Sequence, residues 1–343
     1  MTRSKINTNL RGPDLPLIQL RLVTPFVNEL ERCGKRSADV LAEFSLERKN
    51  LLDENHFVTA ATMYRLAERL GEYSGNPYFG VLVGEKLDML NWPPTIQAVK
   101  RASTVSEFLF RFMESARQQE NSVTFVLKSV GDRTSIRERR FTDTGIKPRH
   151  NDGFTIAYLL SVIRLALGQN WDGSRVVARV SDPDVVPDHY MGIRTATGDT
   201  LGAEISFPTN WMILKVSGAG DLDSGVNQPT LSFPATNLID AFCFAVQPHI
   251  HDTQLDANLA AQICGMKKRT LTRKLQYAGT TITGEIHAMK RSRAEQELSE
   301  SEKPIRAIAH SVGYSDPVVF SRAFKRWTGH TPSEYRAKSR SGV

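Results

Sequence analysis

The sequence predicts an α+β N-terminal domain followed by an all-α C-terminal domain with two helix-turn-helix units joined by a linker helix. Three observations predict it. Within the first 210 residues the apolar period switches from helical to alternating and back. Residues 217–236 (SGAGDLDSGVNQPTLSFPAT) are rich in Gly, Ser, Asp and Pro and read as a linker. Beyond them a helix–glycine–helix pattern occurs twice, with no strand signal. A chain of 343 residues suits two domains. The expected boundaries are 1–216, 217–236 and 237–343.

In the first domain, Leu17–Arg32 is expected to be helical, with Gly34 as C-cap. Ala60–Leu70 is periodic and expected to stop at Gly71. Thr104 and Glu107 have the spacing of a capping box and open a helix over Val105–Gln118. Ser122–Val130 and Thr134–Phe141 alternate around Gly131-Asp132 and predict a β-hairpin. Gly153–Leu167 predicts an apolar helix ending at Gly168. Arg175–Val180 and Glu204–Phe207 predict short strands. Tyr64, Phe108, Phe110, Phe112 and Tyr158 fit core positions better than a ligand pocket.

In the last third, Asp256 is an N-cap for a helix over Ala257–Cys264, and Gly265 supplies a turn. A second helix spans about Lys268–Tyr277 and stops near Gly279, closing a first unit at about 256–278. At about 100° per residue, Leu271 and Leu275 share one face, while Arg269, Thr272, Arg273 and Gln276 share the other. The design recurs at about 304–328. Pro304 opens a helix carrying Ile305, Ile308, Ala309 and Val312; Gly313 makes the turn, and Pro317 starts a helix that stops at Gly329. Phe320 and Phe324 take the inner places of Leu271 and Leu275, 49 residues on. The outer face is Val318, Ser321, Arg322 and Lys325. Between the units, Thr283–Leu298 predicts a helix with Lys290, Arg291 and Arg293.

Charge follows the same division. The chain carries +7, yet residues 236–343 hold 16 Lys and Arg against 10 Asp and Glu, while the preceding residues are near balance at 28 against 27. A basic helical domain beside a neutral one points to a polyanion. A recognition helix fits the major groove, where Arg pairs with guanine, Thr and Ser reach several base edges, and a Val methyl meets thymine. The expected base readers are Arg269, Thr272, Arg273, Val318, Ser321 and Arg322. The expected phosphate or flanking contacts are Lys267, Lys268, Thr270, Gln276, Pro317 and Lys325.

Other chemistry finds little footing. Cys33, Cys243 and Cys264 form no CxxC pair, which suits free thiols in a reducing cytoplasm and disfavours a Cys-based zinc site. His249, His251 and Asp252 have generic spacing for a metal, and the glycines of 218–225 lack the context of a phosphate or calcium loop. With no GxSxG elbow and no informative Cys/His pair, no catalytic residue, cofactor or metal is expected. Ile156–Gly168 is too short to span a bilayer, and Arg164 interrupts it. No signal peptide or membrane anchor is expected.

The run Ile305–Arg336 (IRAIAHSVGYSDPVVFSRAFKRWTGHTPSEYR) resembles the signature of AraC/XylS-type transcriptional regulators. LAAQICGMKKRTLTRKLQYAG resembles that family's first helix-turn-helix, and RAEQEL its linker helix. The resemblance implies a seven-helix, bipartite DNA-binding domain, with base readers at the six positions named above. Two departures stand out: Lys267 lies where the family often has Ser, and Pro317-Val318 lies where some members have polar readers, which favours readout of shape or methyl groups. GAEISFPTNWM (Gly202–Met212) and the element order resemble the arabinose-binding-like sensor of one branch. That implies effector sensing and dimerisation but does not name the ligand. The expected partners are double-stranded promoter DNA, RNA polymerase, a small-molecule effector and a second copy of the chain. Two alternatives remain: an N-terminal domain that is only a dimerisation or partner module, or an enzyme domain fused to a DNA-binding one.

Overall fold

A computed structural model describes residues 12–53, 56–88, 95, 98, 102–117, 120–141, 146–216 and 237–341. The expected linker, 217–236, lies outside the described residues. The chain divides into two compact units, 1–234 and 235–343.

The first unit is α+β. Strand β1 (Leu17–Gln19) pairs antiparallel with β2 (Phe57–Thr59). Around this ribbon stand α1 (Thr24–Arg32), α2 (Ser37–Glu43), α3 (Ala60–Ser74) and α4 (Phe79–Glu85). Helix α5 (Val105–Ala116) is capped by Thr104, whose hydroxyl accepts from Glu107 N–H, as the capping-box spacing predicts. A five-stranded sheet has the order β3 (Val123–Val130), β4 (Arg133–Arg140), β7 (Glu204–Pro208), β5 (Val177–Val180), β6 (Arg194–Thr197). Only the β5–β6 pairing is parallel.

Helix α6 (Arg149–Leu167) is buried along most of its length because it serves two cores. Ile156, Leu159, Leu160 and Ile163 join Phe108 and Phe112 of α5 and the sheet residues Ile136, Ile205 and Phe207. Its Phe154 packs instead with Phe26, Leu66 and Phe79 of the helical layer.

Two expectations fail here for identifiable reasons. Leu17–Arg32 is not one helix: its first three residues pair with Phe57–Thr59, a partner remote in sequence. Gly71 does not end α3, which runs on to Ser74 and closes at Gly75 with a left-handed φ of 74°. At Gly71 the His150 ring of α6 would lie 2.0 Å from an added Cβ, so close packing rather than a turn requires the glycine.

The second unit has α7 (Leu238–Val246), α8 (Ala257–Ile263), α9 (Lys268–Tyr277), α10 (Ile282–Glu300), α11 (Ile305–Ser311), α12 (Pro317–Thr328) and α13 (Pro332–Ser341). No helix among the described residues is long and apolar enough to cross a membrane.

Candidate nucleic-acid interface

Each helix pair is built around a turn glycine. In the first, Asp256 Oδ1 accepts from the N–H groups of Asn258 and Leu259, both at 2.8 Å, and starts α8. Gly265, at φ 62°, closes α8: its N–H reaches Gln262 O, and Met266 N–H reaches Ala261 O. In the second, Gly313 (φ 73°) donates to His310 O and Tyr314 to Ala309 O, the same pair of bonds. The first helices and turns repeat at an offset of 48 residues, the second helices at 49. One extra residue therefore separates the glycine from α12. Asp316 caps that helix by accepting from Val318 N–H at 2.7 Å, whereas Lys267, at the equivalent place before α9, makes no side-chain cap.

The faces divide as the periodicity predicts. Leu271, Leu275, Phe320 and Phe324 are fully buried. On α9, Arg269, Arg273, Gln276 and Lys268 are exposed with Lys267, while Thr270 and Thr272 are half-buried. On α12, Arg322 and Lys325 are exposed, and Pro317 and Ser321 are half-buried. Val318 and its neighbour Val319 are 57% and 49% exposed, which puts a bare apolar pair at the N-terminal end of α12. Ser321 Oγ donates to Pro317 O at 2.8 Å, so its proton is already used within the helix and only its lone pairs face outward.

Helix α10 holds the second pair in place through two charged residues on its buried stripe. Lys290 is 6% exposed; its Nζ donates to Gly313 O at 3.4 Å and lies 4.9 Å from the centre of the Tyr314 ring. Burial pulls its pKa below the ordinary lysine value, opposed by Asp252. Glu297, 7% exposed, accepts from Arg293 at 2.7 Å and from Lys303 and Ser311 at 3.1 Å. Burial pushes its carboxyl up, but these hydrogen bonds outweigh it and hold the group below 4.5. Around them Ala294, Leu298, Ile308, Val312, Phe320 and Phe324 form one core, with Tyr314, Trp327 and Tyr335 against it.

Residues 260–338 match a family model described as a helix-turn-helix domain, and residues 34–193 match the N-terminal arabinose-binding domain of AraC transcription regulator. The HTH-type transcriptional regulator VirS of Mycobacterium tuberculosis (strain H37Rv) is 33% identical over 301 residues, which cover 83% of this chain and 86% of that one. The chain belongs to the AraC/XylS-type family of DNA-binding transcriptional regulators. The arabinose operon regulatory protein of Escherichia coli (strain K12) is 31% identical over 105 residues, 30% of this chain and 36% of that one. This regulator thus spans about a third of the length of the arabinose operon proteins it matches. Among solved structures, the transcriptional regulator CdpR from Pseudomonas aeruginosa aligns over 92% of this chain and 98% of its own, at 18% identity and a TM-score of 0.39.

Sequence reasoning missed the regulator's buried charges. Lys290 and Glu297 fall on the stripe Ile282, Ile286, Met289, Ala294, Leu298, so the helical period does contain the signal. The same holds in β4, where alternation puts Glu138 and Arg140 on the inner face beside Thr134 and Ile136. Arg140 bonds Asp152 at 2.5 Å, and Asp152 accepts from Ser181 Oγ at 2.6 Å. Tyr64, Phe108, Phe112 and Tyr158 are core, as expected, and Tyr64 and Tyr158 also border a cavity in the first unit; Phe110 is exposed instead. Among the described residues no three His, Cys, Asp or Glu side chains converge as metal ligands. The three thiols are free, and burial pushes Cys243 and Cys264 up to about 12, far from a ready thiolate.

Proposed function

We propose that the chain reads a bipartite operator and that its first unit tunes this activity in response to a small molecule. The observation that carries the DNA part is the repeated amphipathy of α9 and α12: one face is buried and the opposite face is open and basic. Arg269, Thr272 and Arg273 read one major-groove segment, and Val318, Ser321 and Arg322 the next. Lys267, Lys268, Thr270, Gln276, Pro317 and Lys325 set register on the phosphates and groove edges. Helix α10, 19 residues and so about 28 Å long, separates the pairs by a span comparable to one duplex turn of about 34 Å.

In this reading 1–216 is the sensing and dimerisation domain, 217–236 the linker and 237–343 the reader. The protein works in the cytoplasm on promoter DNA with RNA polymerase, and a second copy of the chain doubles the operator. Support for the sensor comes from the arabinose-binding family match over 34–193 and from the cavity inside the first unit. Genome-wide footprinting of wild type, Arg273→Ala and Arg322→Ala tests the reader. Each variant is expected to lose discrimination at one half of the bipartite site. Unchanged footprints for both would remove these residues as readers.

A further inference from the structure

The cavity in the first unit has a volume of about 80 Å³, room for roughly five to eight water-sized groups. Most of its wall is apolar and aromatic: Phe26, Tyr64, Phe125, Phe154 and Tyr158 all face it. The Phe154 and Tyr158 rings stack at 5.9 Å, and Phe26 lies 5.2 Å from Phe154. Two carboxylates, Glu120 and Glu138, interrupt this wall.

The carboxylates outnumber the cations that could neutralise them. Glu138 is 7% exposed; Oε2 accepts from Thr155 Oγ1 at 2.9 Å, and Oε1 accepts no hydrogen bond among the described residues. Arg140 is the nearest cation, 3.5 Å from Oε1, but Asp152 holds it at 2.5 Å and the Tyr64 ring covers it at 5.0 Å. Glu120 has only the Ser122 hydroxyl as a hydrogen-bond donor among the bonds described. Among the described residues, one guanidinium thus serves three carboxylates. Burial, and then the neighbouring Glu138, push Glu120 up to about 7, and burial raises Glu138 as well. An apolar chamber with aromatic faces and surplus carboxylate disfavours anions, and its uncompensated negative charge calls for a cation. A cation with a compact apolar body satisfies both parts of the wall.

We propose that this cavity binds a small organic ammonium ion, with its charged head on Glu138 and Glu120 and its body among Phe26, Phe125, Phe154 and Tyr158. This rests on the reading of the first unit as a sensor. Once bound, the cation supplies the donor that Glu138 Oε1 lacks and stabilises the ionised form of both carboxylates.

The test is calorimetry and thermal shift on the full chain with isopropylamine and tert-butylamine. Isopropanol, tert-butanol and isobutyrate serve as matched neutral and anionic probes. At least one amine is expected to bind about tenfold or more tightly than its alcohol. Glu138→Gln should abolish that preference, and Glu120→Gln should reduce it if Glu138→Gln fails to fold. Equal or tighter binding of the alcohols or the acid by wild type overturns the proposal, as does the absence of amine binding at about 10 mM. Footprints taken with and without each probe separate the two readings. Amine binding that leaves the footprint unchanged keeps the ligand assignment and removes effector control. An acid that binds and moves the footprint does the opposite.

Discussion

The two helix-turn-helix pairs share a plan but divide its tasks differently. The first has a small aliphatic interior, with Ala260 and Ala261 buried on one helix and Leu271 and Leu275 on the other, and an outer face of Arg269, Thr272, Arg273 and Gln276. The second has an aromatic interior, Phe320 and Phe324 with Tyr314, Trp327 and Tyr335, and an outer face that begins with two bare valines. Its turn glycine is buried where Gly265 is exposed. Large rings bury more area and contribute more stability, while polar readers discriminate bases through hydrogen bonds. The second pair therefore adds more burial to anchor the unit on α10, while the first presents the more polar outer face.

The sharpest way to break this contrast is the turn. At Gly313 an added Cβ would meet Asp252 O and Ile250 O, both at 2.7 Å, as well as Lys290 Nζ at 2.9 Å, and φ is left-handed. Gly313→Ala is expected to cost at least about 3 kcal/mol in denaturant unfolding of the helical unit, since backbone strain and displaced carbonyls add. Gly265→Ala, at an exposed turn with a left-handed φ of 62°, should cost about 1–2 kcal/mol through backbone strain. Equal losses would mean that the two turns carry equal weight.

Base reading should show the opposite order. Arg273→Ala is expected to weaken binding to the cognate site by about 1–3 kcal/mol and to blur one half of it. Val318→Ala removes only methyl contact and should cost less than about 1 kcal/mol. Titration on the footprinted site checks both, and a larger loss for Val318→Ala would reverse the assignment of roles.

Acid should loosen the anchor first. Because the folded-state pKa of Glu297 is depressed, its contribution is present above its ordinary value of 4.5 and is lost as pH falls through the lower folded value. Glu297→Gln is expected to be less stable than wild type at neutral pH, with the difference shrinking below about pH 4. A constant gap from pH 7 to pH 3 would show that the carboxylate charge is not what Arg293 and Lys303 stabilise. The smallest effect is expected from Lys268→Ala and Lys325→Ala. Each should weaken all sequences alike and reduce the slope of log affinity against log salt by about 0.9. A change in sequence preference would make either lysine a base reader.

Much of this was legible because it is local. The caps at Asp256 and Thr104, the turn glycines 265 and 313, and the inner faces of α9 and α12 follow from residues three or four apart. The hairpin of β3 and β4 was readable from alternation around Gly131. What escaped depends on distant partners. Leu17–Gln19 became a strand because Phe57–Thr59 lies alongside it, and Gly71 stayed helical because His150 packs on it. The one-residue difference between the two turns shows only when the offsets of both helices are compared, and its consequence, the Asp316 cap, is a matter of geometry.

By itself, the sequence determined the class of the second unit. A helical period, a glycine at each turn and a one-sided run of basic residues leave little else for that segment to be. The tertiary structure decided which charges are buried. Periodicity places Lys290 on the apolar stripe of α10 and Glu138 on the inner face of β4, but it cannot say what they meet there. Lys290 meets a turn carbonyl and a ring from residues 313 and 314, whereas Glu138 meets a cavity, and its Oε1 accepts no hydrogen bond among the described residues. The energy of a buried charge is set by the partners that folding brings to it from far along the chain, and those partners leave no trace in its own segment.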